Sequence, residues 1–555
     1  MMNTIEVICL NCNQRREFPK GITLAEVAQQ LNVQLKYPVL GALVNNRLRE
    51  LSYDLYKPKT VKFIDFSNNI GYRMYVRSVY FLLYAAVKEV LPRALLRIDH
   101  SVSKGWYAEL EGENIKLNED LIKRIKEKME ELVSADLPFT RKEILTTEAA
   151  ELFKKNGQMD KAELFGSRHE MYTSVYGLNG YINYFYGYLV PSTAYLTRFD
   201  IRHYYKGILI RVPDPENFEI SAEVIHQPKL FKIFREHKKW INILDVPYVG
   251  SLNKATTEKR DTDLIKISEA LHEKRIARIA DKIYKWHDRV KIILISGPSS
   301  SGKTTFSKRL SIQLMVLGLK PVQISLDNYF VDREHTPRDE NGEYDFESLD
   351  AIDIELFNQN LSDLLNGRKV RLPRFDFNSG KRSYYNGTFQ MRPDQVLIIE
   401  GIHGLNPALT PTIDPARKFG IFVSALTQIS IDAQNPVSST DNRLIRRMVR
   451  DYRFRGYSAL ETLKRWDSVR NGEEKNIFSF QENAEVMFNS ALLYELAVLK
   501  TYAESLLKTV PEGEPEHAEA QRLMKFLSYF QPISSREIPP TSILREFLGG
   551  SSFIY

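Results

Sequence analysis

A glycine-rich loop in the second half of the chain carries the residue types that bind phosphate groups. Residues 292–305 read "IILISGPSSSGKTT", an apolar run followed by Gly297, four further residues, and then Gly302, Lys303 and Thr304. Glycines let a backbone curl until successive N–H groups point at phosphate oxygens, and the following helix adds the positive end of its dipole. In this pattern the lysine reaches the β- and γ-phosphates of a nucleotide, and the threonine hydroxyl binds Mg²⁺.

The flanking segments favour a nucleotide site over a chance loop. A short apolar strand precedes the loop, and the helical pattern "TTFSKRLSIQLMVLG" follows it. This strand–loop–helix context is what the motif requires. We therefore predict that ATP and Mg²⁺ bind here. The predicted ATP-binding residues are Gly297, Pro298, Ser299, Ser300, Ser301, Gly302, Lys303, Thr304 and Thr305.

Two acidic residues stand at the carboxyl ends of later apolar strands, where open α/β sheets bind ligands. Asp327 lies in "SLDNYF", and Glu400 ends "QVLIIE". A carboxylate at the first position can orient or deprotonate an acceptor hydroxyl, and the alternative is a helix N-cap. Glu400 is predicted to complete a Mg²⁺ shell, and the alternative is a strand-end carboxylate that holds no ligand.

A run of arginines follows in "DNRLIRRMVRDYRFRG". Four lie at helical spacing and two come after them: Arg443, Arg446, Arg447, Arg450, Arg453 and Arg455. The alternatives are a solvated face, which usually mixes charges of both signs, or a nucleic-acid patch. In an enzyme that transfers phosphate, such a helix acts as a lid that closes over the phosphates and neutralises their charge.

The elements that must position these residues divide the chain into four predicted parts. Residues 1–66 alternate short strands and one helix, residues 67–215 are mixed α+β, and residues 216–288 read as a charged helical connector. From there, apolar strands alternate with helices over residues 289–555, which predicts βαβ units and a parallel sheet. We therefore predict a multidomain protein that combines an α/β part with α+β parts.

Composition sets limits on the class of protein. The chain has 555 residues, 43% hydrophobic and 26% charged, which predicts globular domains rather than disorder. A net charge of +7 suits anionic ligands but does not by itself indicate nucleic acid. Only two cysteines are present, and no apolar run approaches the length of a membrane span, so we expect a cytoplasmic protein with no membrane partner.

Residues 290 to about 500 resemble the uridine kinase and phosphoribulokinase family of P-loop kinases, and are most similar to uridine/cytidine kinase. The matching segments are "GPSSSGKTT", "SLDNYF", "FESLDAID", "LPRFDFNSGKR", "IIEGIHGL", "RRMVRDYRFRG" and "AEVMFNSAL". The resemblance implies an ATP:nucleoside 5′-phosphotransferase that moves the γ-phosphoryl group to a ribose 5′-hydroxyl. Uridine and cytidine are the first candidate acceptors.

The resemblance also implies roles for individual residues. Asp327 corresponds to the base for the acceptor hydroxyl, and Thr304 and Glu400 correspond to the Mg²⁺ ligands. The implied catalytic residues are Asp327, Lys303, Arg450 and Arg455, and the implied substrate-binding residues are Tyr329, Glu347, Phe375, Phe377, Arg447 and Arg450.

Two departures from the family pattern concern the acceptor. Glu347 stands where the family has an aspartate that grips the ribose hydroxyls. The stretch "FNSGKRS" lacks the histidine with which uridine kinases hydrogen-bond the pyrimidine. A purine nucleoside or another ribose-like alcohol therefore stays open as the acceptor.

The front of the chain resembles two modules of threonyl-tRNA synthetases. Residues 1–66 are similar to the ubiquitin-like TGS module, and residues 67–215 to the domain that edits mischarged tRNA, through "LLYAAVKEVLP", "DKAELFG" and "VPSTAYLTRFDI". The four positions of the editing chemistry hold Arg77, Phe81, Phe185 and Leu189. Phenylalanine and leucine bind no metal and move no proton, so the resemblance implies a collapsed pocket without hydrolytic activity.

The sequence leaves two classes of function. The first is a nucleoside kinase, and the alternative is a nucleotide-gated RNA-binding or translation-linked regulatory protein. The front half is predicted either to bind RNA or a regulatory ligand, or to serve as a scaffold and homo-oligomer interface. The stretch "YINYFYGY" suits base stacking, but it suits a packed core better.

Overall fold

The front of the chain is a small mixed sheet with one helix. The computed structural model describes residues 4–113, 115–338, 342, 344–376, 379–427 and 429–555. The first elements are β1 (Thr4–Cys9), β2 (Gln14–Pro19), β3 (Ile22–Thr23), α1 (Leu24–Gln30), β4 (Gly41–Val44), β5 (Arg47–Arg49), β6 (Asp54–Leu55) and β7 (Lys59–Ile64). Five strands form one sheet in the order β2-β1-β7-β4-β5, with β1 and β7 parallel. Helix α1 starts at a capping box between Thr23 and Glu26.

The next part packs two antiparallel sheets around a long buried helix. Its elements are α2 (Asn69–Val90), β8 (Leu95–Val102), β9 (Gly105–Glu111), α3 (Glu119–Ser134), β10 (Thr140–Leu145), α4 (Thr146–Lys155), α5 (Met159–Gly166), β11 (Tyr172–Leu178), β12 (Tyr181–Asn183), β13 (Asp200–Tyr204) and β14 (Gly207–Arg211). The sheets have the orders β13-β14-β9-β8 and β10-β11-β12. Helix α2 is buried along most of its length because its sequence is apolar on nearly every face.

Three helices then lead into the second half: α6 (Pro228–Leu244), α7 (Val249–Thr257) and α8 (Asp261–Tyr284). They are more than a connector. Ile276, Ala280 and Ile283 of α8 belong to the same hydrophobic core as the strand residues Ile293 and Ile295. The helices therefore pack against the parallel sheet of the second half and contribute to its hydrophobic core.

The second half is a parallel sheet flanked by helices. Its strands are β15 (Ile292–Ser296), β16 (Lys320–Ser325), β17 (Lys369–Val370), β18 (Pro373–Asp376), β19 (Lys381–Tyr384), β20 (Phe389–Gln390), β21 (Gln395–Glu400), β22 (Lys418–Ser424), β23 (Ser430–Asp432), β24 (Asn435–Pro436) and β25 (Val486–Asn489). Its helices are α9 (Lys303–Val316), α10 (Ile354–Leu365), α11 (Ser439–Phe454), α12 (Ala459–Asn476), α13 (Glu495–Leu507), α14 (His517–Leu527) and α15 (Arg545–Leu548). The combination of α/β and α+β parts that the sequence predicts is confirmed.

The order of the large sheet places the phosphate loop in a crevice. The order is β16-β21-β15-β22-β25, and all its pairings are parallel. Strand β15 is central and buried on both faces, as its run of isoleucine and leucine requires. Strands β16 and β21 lie on one side of β15 in the sheet, and β22 and β25 lie on the other. The loop that follows β15 therefore opens at the point where such sheets bind ligands.

The two halves meet through a hairpin that the second half inserts into the first. Lys161 of α5 and Asp432 of β23 are both fully buried, with Nζ and Oδ1 3.2 Å apart. Ile98 N donates to Ala433 O at 2.8 Å, and Asn435 Nδ2 donates to Tyr184 O at 2.8 Å. Burial opposes the charge of Lys161, but Asp160 and Asp432 outweigh it and raise the pKa of the amine. Within the part of the chain that the structure describes, no helix is both long and apolar enough to cross a bilayer.

Candidate active site

The phosphate loop has a backbone that requires its glycines. Gly302 has φ +83° and forms the N-cap of α9. A Cβ atom there would lie 2.5 Å from Ile543 Cγ2, and one at Gly297 would lie 1.9 Å from the carbonyl oxygen of Val423. The Ile543 side chain and the Val423 carbonyl group therefore leave no room for a Cβ atom at these two glycines unless something shifts. Ser300 is also left-handed, with φ +58°.

Lys303 lies against the loop that precedes it. Its Nζ donates to Gly297 O at 2.8 Å and to Pro298 O at 3.2 Å. Burial raises the pKa values of Asp327, Glu347 and Glu400, and the charge of Lys303 opposes each of these shifts, so the ammonium is within electrostatic range of all three carboxylates. The structure thus brings together four residues that the sequence places up to 97 positions apart.

The three carboxylates differ in what holds them. Asp327 caps no long helix; it lies in a short 3₁₀ turn at the end of β16, with its side chain open to the cleft. The surrounding protein raises its pKa, while Lys303, Arg455 and Arg450 act in the opposite direction. Desolvation, together with Asp327, raises the pKa of Glu400 to about 7, and Ser325 Oγ donates to Glu400 Oε1 at 3.2 Å.

This donor set fits Mg²⁺. The Thr304 hydroxyl is partly exposed at the first turn of α9, and the mutual repulsion of Glu400 and Asp327 is a charge arrangement that a divalent cation relieves. Among the described residues, no three His, Cys, Asp or Glu side chains form a cluster able to hold a metal by themselves. Thr304 and Glu400 would hold Mg²⁺ here together with phosphate oxygens and water, which is how Mg²⁺ is commonly bound.

The arginine helix is not a uniform lid, and the prediction is wrong for Arg443 and Arg446. Both side chains are buried and form ion pairs, Arg443 with Glu473 and Arg446 with Glu495. Arg443 Nη1 donates to Ser299 O at 3.1 Å, and Arg446 Nη1 donates to Ser300 O at 3.4 Å. Because they are fixed beneath the loop, these two arginines support its carbonyl groups and do not close over it.

The other arginines of this segment stay at the cleft. Asp451 forms ion pairs with three of them, at 3.1 Å to Arg447 Nε, 3.4 Å to Arg450 Nε and 3.3 Å to Arg455 Nη1. Arg447 Nη1 also donates to Ser299 Oγ at 2.9 Å. Desolvation and the neighbouring Arg455 lower the pKa of Arg450 to about 10, against the opposite effect of Asp451. A group with lowered pKa among like charges favours an anionic ligand.

The predicted acceptor residues divide in the structure. Tyr329 is 1% exposed, packs against Phe357 and accepts a hydrogen bond from Asn360 Nδ2 at 3.3 Å, so its assignment to substrate binding is wrong. Phe375 is mostly buried against Phe330, with ring centroids 5.6 Å apart. Phe377 lies outside the described residues.

Glu347 does reach the cleft. Its side chain is partly exposed, and a Cβ atom at Gly472 would lie 2.4 Å from Glu347 Cβ. Desolvation and the nearby Glu473 raise the pKa of Glu347 to about 7, while Arg447 and Lys303 oppose the shift. Glycine at 472 is therefore what lets α12 approach this carboxylate.

Sequence reasoning missed two carboxylates that hold the loop's N–H groups. Ser299 N donates to Glu473 Oε1 at 2.7 Å. Thr305 donates to Glu546 Oε2 twice, from N at 3.2 Å and from Oγ1 at 2.6 Å, and the Thr305 hydroxyl also lies 2.8 Å from Tyr555 Oη. No local signal marks these residues, because Glu473 lies in a polar helix pattern and Glu546 is 241 residues from its partner.

The front-half positions that the resemblance assigns to lost editing chemistry are mostly packed. Phe81, Phe185 and Leu189 are buried, and the two phenylalanine rings lie 5.6 Å apart. The apolar collapse predicted for them is what the structure has. The fourth, Arg77, is different: its guanidinium carbon lies 4.9 Å from the centre of the Tyr186 ring.

His100 is a structural histidine. It stacks on Phe234 at 3.4 Å, and burial together with Arg97 lowers the pKa of its ring to about 3. It stays neutral at any physiological pH.

Comparisons with known proteins match the two halves separately. The model of the phosphoribulokinase/uridine kinase family matches residues 292–493. The uridine kinase of Staphylococcus aureus (strain JH9) is 32% identical over 179 residues, which are 32% of this chain and 76% of that protein. A solved D-glycerate 3-kinase from Cryptococcus neoformans is 14% identical with a TM-score of 0.22, covering 46% of this chain and 87% of its own.

The front half matches a different group. The threonine–tRNA ligase of Carboxydothermus hydrogenoformans is 32% identical over 190 residues, which are 34% of this chain. This chain spans only 30% of the length of that ligase. The chain therefore joins a front segment similar to threonine–tRNA ligases to a second half similar to uridine kinases. That second half matches most of the length of the Staphylococcus aureus uridine kinase. The chain belongs to the phosphoribulokinase/uridine kinase family of P-loop kinases.

Proposed function

We propose that this protein transfers the γ-phosphoryl group of ATP to the 5′-hydroxyl of a nucleoside, with uridine and cytidine as the first candidates. The observation that carries the proposal is the convergence of Lys303 with Asp327, Glu347 and Glu400 beside the phosphate loop. A nucleotide switch needs a phosphate loop and a metal site. It does not need the further carboxylates of an acceptor site.

In the proposed reaction the loop and Lys303 hold the β- and γ-phosphates. Asp327 accepts the proton of the acceptor hydroxyl while its oxygen forms a bond to the γ-phosphorus. The bond between that phosphorus and the β–γ bridging oxygen breaks, and ADP leaves. Arg447, Arg450 and Arg455 face the charge that spreads over the transferring group.

Thr304 and Glu400 are the proposed Mg²⁺ ligands, and the metal, when bound, neutralises phosphate charge. Ser325 orients Glu400 through the 3.2 Å hydrogen bond described above. Asp451 keeps three arginines at the cleft, so little reorganisation is needed when phosphates arrive.

Glu347 supports a ribose-like acceptor. An ionised carboxylate accepts hydrogen bonds from two neighbouring hydroxyls, which a ribose offers at its 2′ and 3′ positions. The described residues between 371 and 385 supply arginines, tyrosines and Phe375, without histidine. Kinases of another nucleoside, or of another ribose-like alcohol, are therefore alternatives within the same proposal.

We also propose the domain division 1–66, 67–215, 216–288 and 289–555. Each sheet lies within one of these ranges. The parallel sheet shares its hydrophobic core both with α8 and with front-half residues such as Phe165 and Tyr184, so these parts are expected to fold together.

The decisive experiment is an ADP-release assay of the full chain against the common ribonucleosides, deoxyribonucleosides and small sugar alcohols. We expect ADP release that depends on one nucleoside class and that yields its 5′-monophosphate, identified by mass spectrometry. The Lys303→Ala variant serves as the control for contaminating kinases. ATP consumption that no acceptor stimulates would contradict the proposal.

A further inference from the structure

Arg77 is a buried cation that has no carboxylate partner among the residues that the structure describes. Its side chain projects from the middle of α2 and is 7% exposed. Among the described residues it makes no hydrogen bond or ion pair. It makes a cation–π contact with Tyr186, in which Arg77 Cζ lies 4.9 Å from the ring centroid. A buried guanidinium without an acceptor is costly, so an acceptor from outside the chain is expected.

Neighbouring arginines show that acids are available in this region. Arg73, one turn earlier on α2, pairs with Glu519 at 2.7 Å. Arg522 binds Asp441 through two hydrogen bonds of 2.7 Å each. Arg73 and Arg522 thus each form an ion pair with a carboxylate of the second half. Arg77 forms none with a described residue.

Lys525 of α14 is a second cation that has no carboxylate partner among the described residues. Its side chain is exposed, and it makes no hydrogen bond or ion pair to a described residue. The surrounding protein and the guanidinium groups of Arg141, Arg168 and Arg77 lower its pKa to about 8. The side chains of Arg77, Arg141 and Arg168 therefore lie within electrostatic range of Lys525, so four cations from four segments come near one another. The Tyr186 ring, which Arg77 contacts, also lies 6.3 Å from the ring of Phe526, next to Lys525 on α14.

The acidic groups nearby do not balance these charges. Glu50 opposes the shift of Lys525, but desolvation raises the pKa of Glu50 itself, and Tyr176 donates to it at 2.8 Å. Arg168 pairs with Glu170 at 2.8 Å. Arg141 donates to Ser174 Oγ at 2.6 Å and lies over the ring of Tyr188, so its charge has no carboxylate partner among the described residues.

The approach to Arg77 is narrow. A Cβ atom at Gly187 would lie 2.3 Å from Arg77 Nη1, so the backbone of this segment lies directly against the guanidinium. Tyr186 covers another side. The Arg77 guanidinium is therefore enclosed by Gly187 on one side and by Tyr186 on another.

We propose that the Arg77–Lys525 pocket, defined as Arg77, Arg141, Arg168 and Lys525, binds the phosphate group of a small phosphorylated molecule. A guanidinium fork and an ammonium are the donors that phosphate sites use, since together they match both the geometry and the charge of a dianion. The pocket lies between the front half and α14, apart from the phosphate loop. It therefore represents a second anion site on the same chain.

Binding is tested with inorganic pyrophosphate as the probe. The full chain is first saturated with a non-hydrolysable ATP analogue and Mg²⁺, so that the phosphate loop is filled, and pyrophosphate is then titrated by calorimetry. We expect one further saturable site, weakened at least about 10-fold in Arg77→Met and in Lys525→Met. Lys142→Met is the matched control, since Lys142 is an exposed neighbour of Arg141 on the opposite face of β10, and its affinity should stay within about two-fold of wild type.

Two further readouts separate a binding role from a structural one. Arg77→Met should keep or raise the melting temperature of the unliganded protein by about 2 °C, because it removes an unpaired buried charge. Pyrophosphate should protect Lys525 from acetylation at pH 8 and leave the exposed Lys508 unchanged, as read by peptide mass spectrometry. A melting temperature that falls by 5 °C or more would mean that Arg77 is a structural residue.

Two results would overturn the proposal. One is the absence of saturable pyrophosphate binding once the phosphate loop is filled, or equal affinity in wild type and Arg77→Met. The other is Arg77-dependent binding of a 12-nucleotide single-stranded RNA without terminal phosphate that is tighter than pyrophosphate binding, because that outcome would assign the pocket to RNA.

Discussion

The phosphate-loop cleft and the Arg77–Lys525 pocket both gather positive charge, but they treat that charge in opposite ways. In the cleft each buried arginine meets a carboxylate: Glu473 for Arg443 and Glu495 for Arg446. In the pocket, Arg77 and Lys525 meet none among the described residues.

The difference bears on what each place binds. A cleft whose arginines are already paired holds its shape without a ligand, and it suits a nucleotide that arrives with its own metal. A pocket in which Arg77 and Lys525 have no carboxylate partner is destabilised until an anion arrives, so the ligand itself must supply the negative charge. Residues that carry chemistry are thus expected in the cleft, and residues that only bind are expected in the pocket.

The largest expected effect tests whether the chemistry belongs to the cleft. Asp327→Asn removes the proposed proton acceptor, and we expect kcat to fall about 10³-fold, within the range that general-base catalysis contributes. The melting temperature should change by less than about 2 °C, because the side chain is exposed to the cleft. Steady-state ADP release with the best acceptor measures the first quantity. The proton acceptor would have to be another residue if Asp327→Asn turned over near the wild-type rate.

The next effect concerns the contact that joins the two regions. Lys161→Met leaves Asp432 buried without its cation, and we expect the free energy of unfolding to fall by about 3–5 kcal/mol. Urea unfolding followed by circular dichroism measures it. Lys123→Met, which removes an exposed pair with Glu127, should leave the unfolding midpoint unchanged. A loss below about 1 kcal/mol for Lys161→Met would mean that the hairpin is held by its backbone contacts alone.

A smaller effect is expected when a carboxylate is removed from the cleft, because the cleft then resembles the pocket in having fewer paired charges. Glu546→Gln replaces the carboxylate that accepts from Thr305 N and Oγ1 with a neutral amide. Because that carboxylate stands where the loop presents donors to phosphate, we expect KM for ATP to fall about 5-fold, which is about 1 kcal/mol. Glu537→Gln, an exposed change in the same C-terminal segment, is the control. A higher KM in Glu546→Gln would instead make Glu546 a contributor to nucleotide binding.

The smallest effect is a pH dependence of acceptor binding. The pKa of Glu347 is raised to about 7, and its ionised form is the one that accepts from ribose hydroxyls. The wild-type KM for the nucleoside should therefore fall about 3-fold as pH rises from 6 to 8, and Glu347→Gln should show no such change. A flat wild-type profile would remove Glu347 from the acceptor site.

The same shift predicts a stability effect of definite sign. The folded state keeps the Glu347 proton up to about pH 7, whereas the unfolded chain releases it near the ordinary value for glutamate. The unfolded state therefore binds fewer protons in this window, and the contribution of Glu347 to stability falls as pH rises through it. Glu347→Gln should gain stability relative to wild type at pH 8 compared with pH 5, as measured by melting temperature.

Sequence reasoning located the phosphate loop because its donors occupy consecutive positions between a strand and a helix. It could not tell Arg443 and Arg446 from Arg447 and Arg450, since all four lie at helical spacing. Their fates depend on Glu473 and Glu495, which lie 30 and 49 residues further along the chain. Tyr329 failed for the same reason: its motif marks a site, but Phe357 and Asn360 draw its ring into the core.

What the sequence by itself determined is the chemistry that the chain carries: a phosphate loop, a strand-end aspartate and glutamate, and a front segment in which Phe81, Phe185 and Leu189 hold no proton-transfer groups. These are local properties of residue type and spacing. Only the tertiary structure decided which charges are compensated. Glu546 reaches Thr305 across 241 residues, and α14 brings Lys525 to Arg77, because ion pairing depends on distance in space and not on position in the chain.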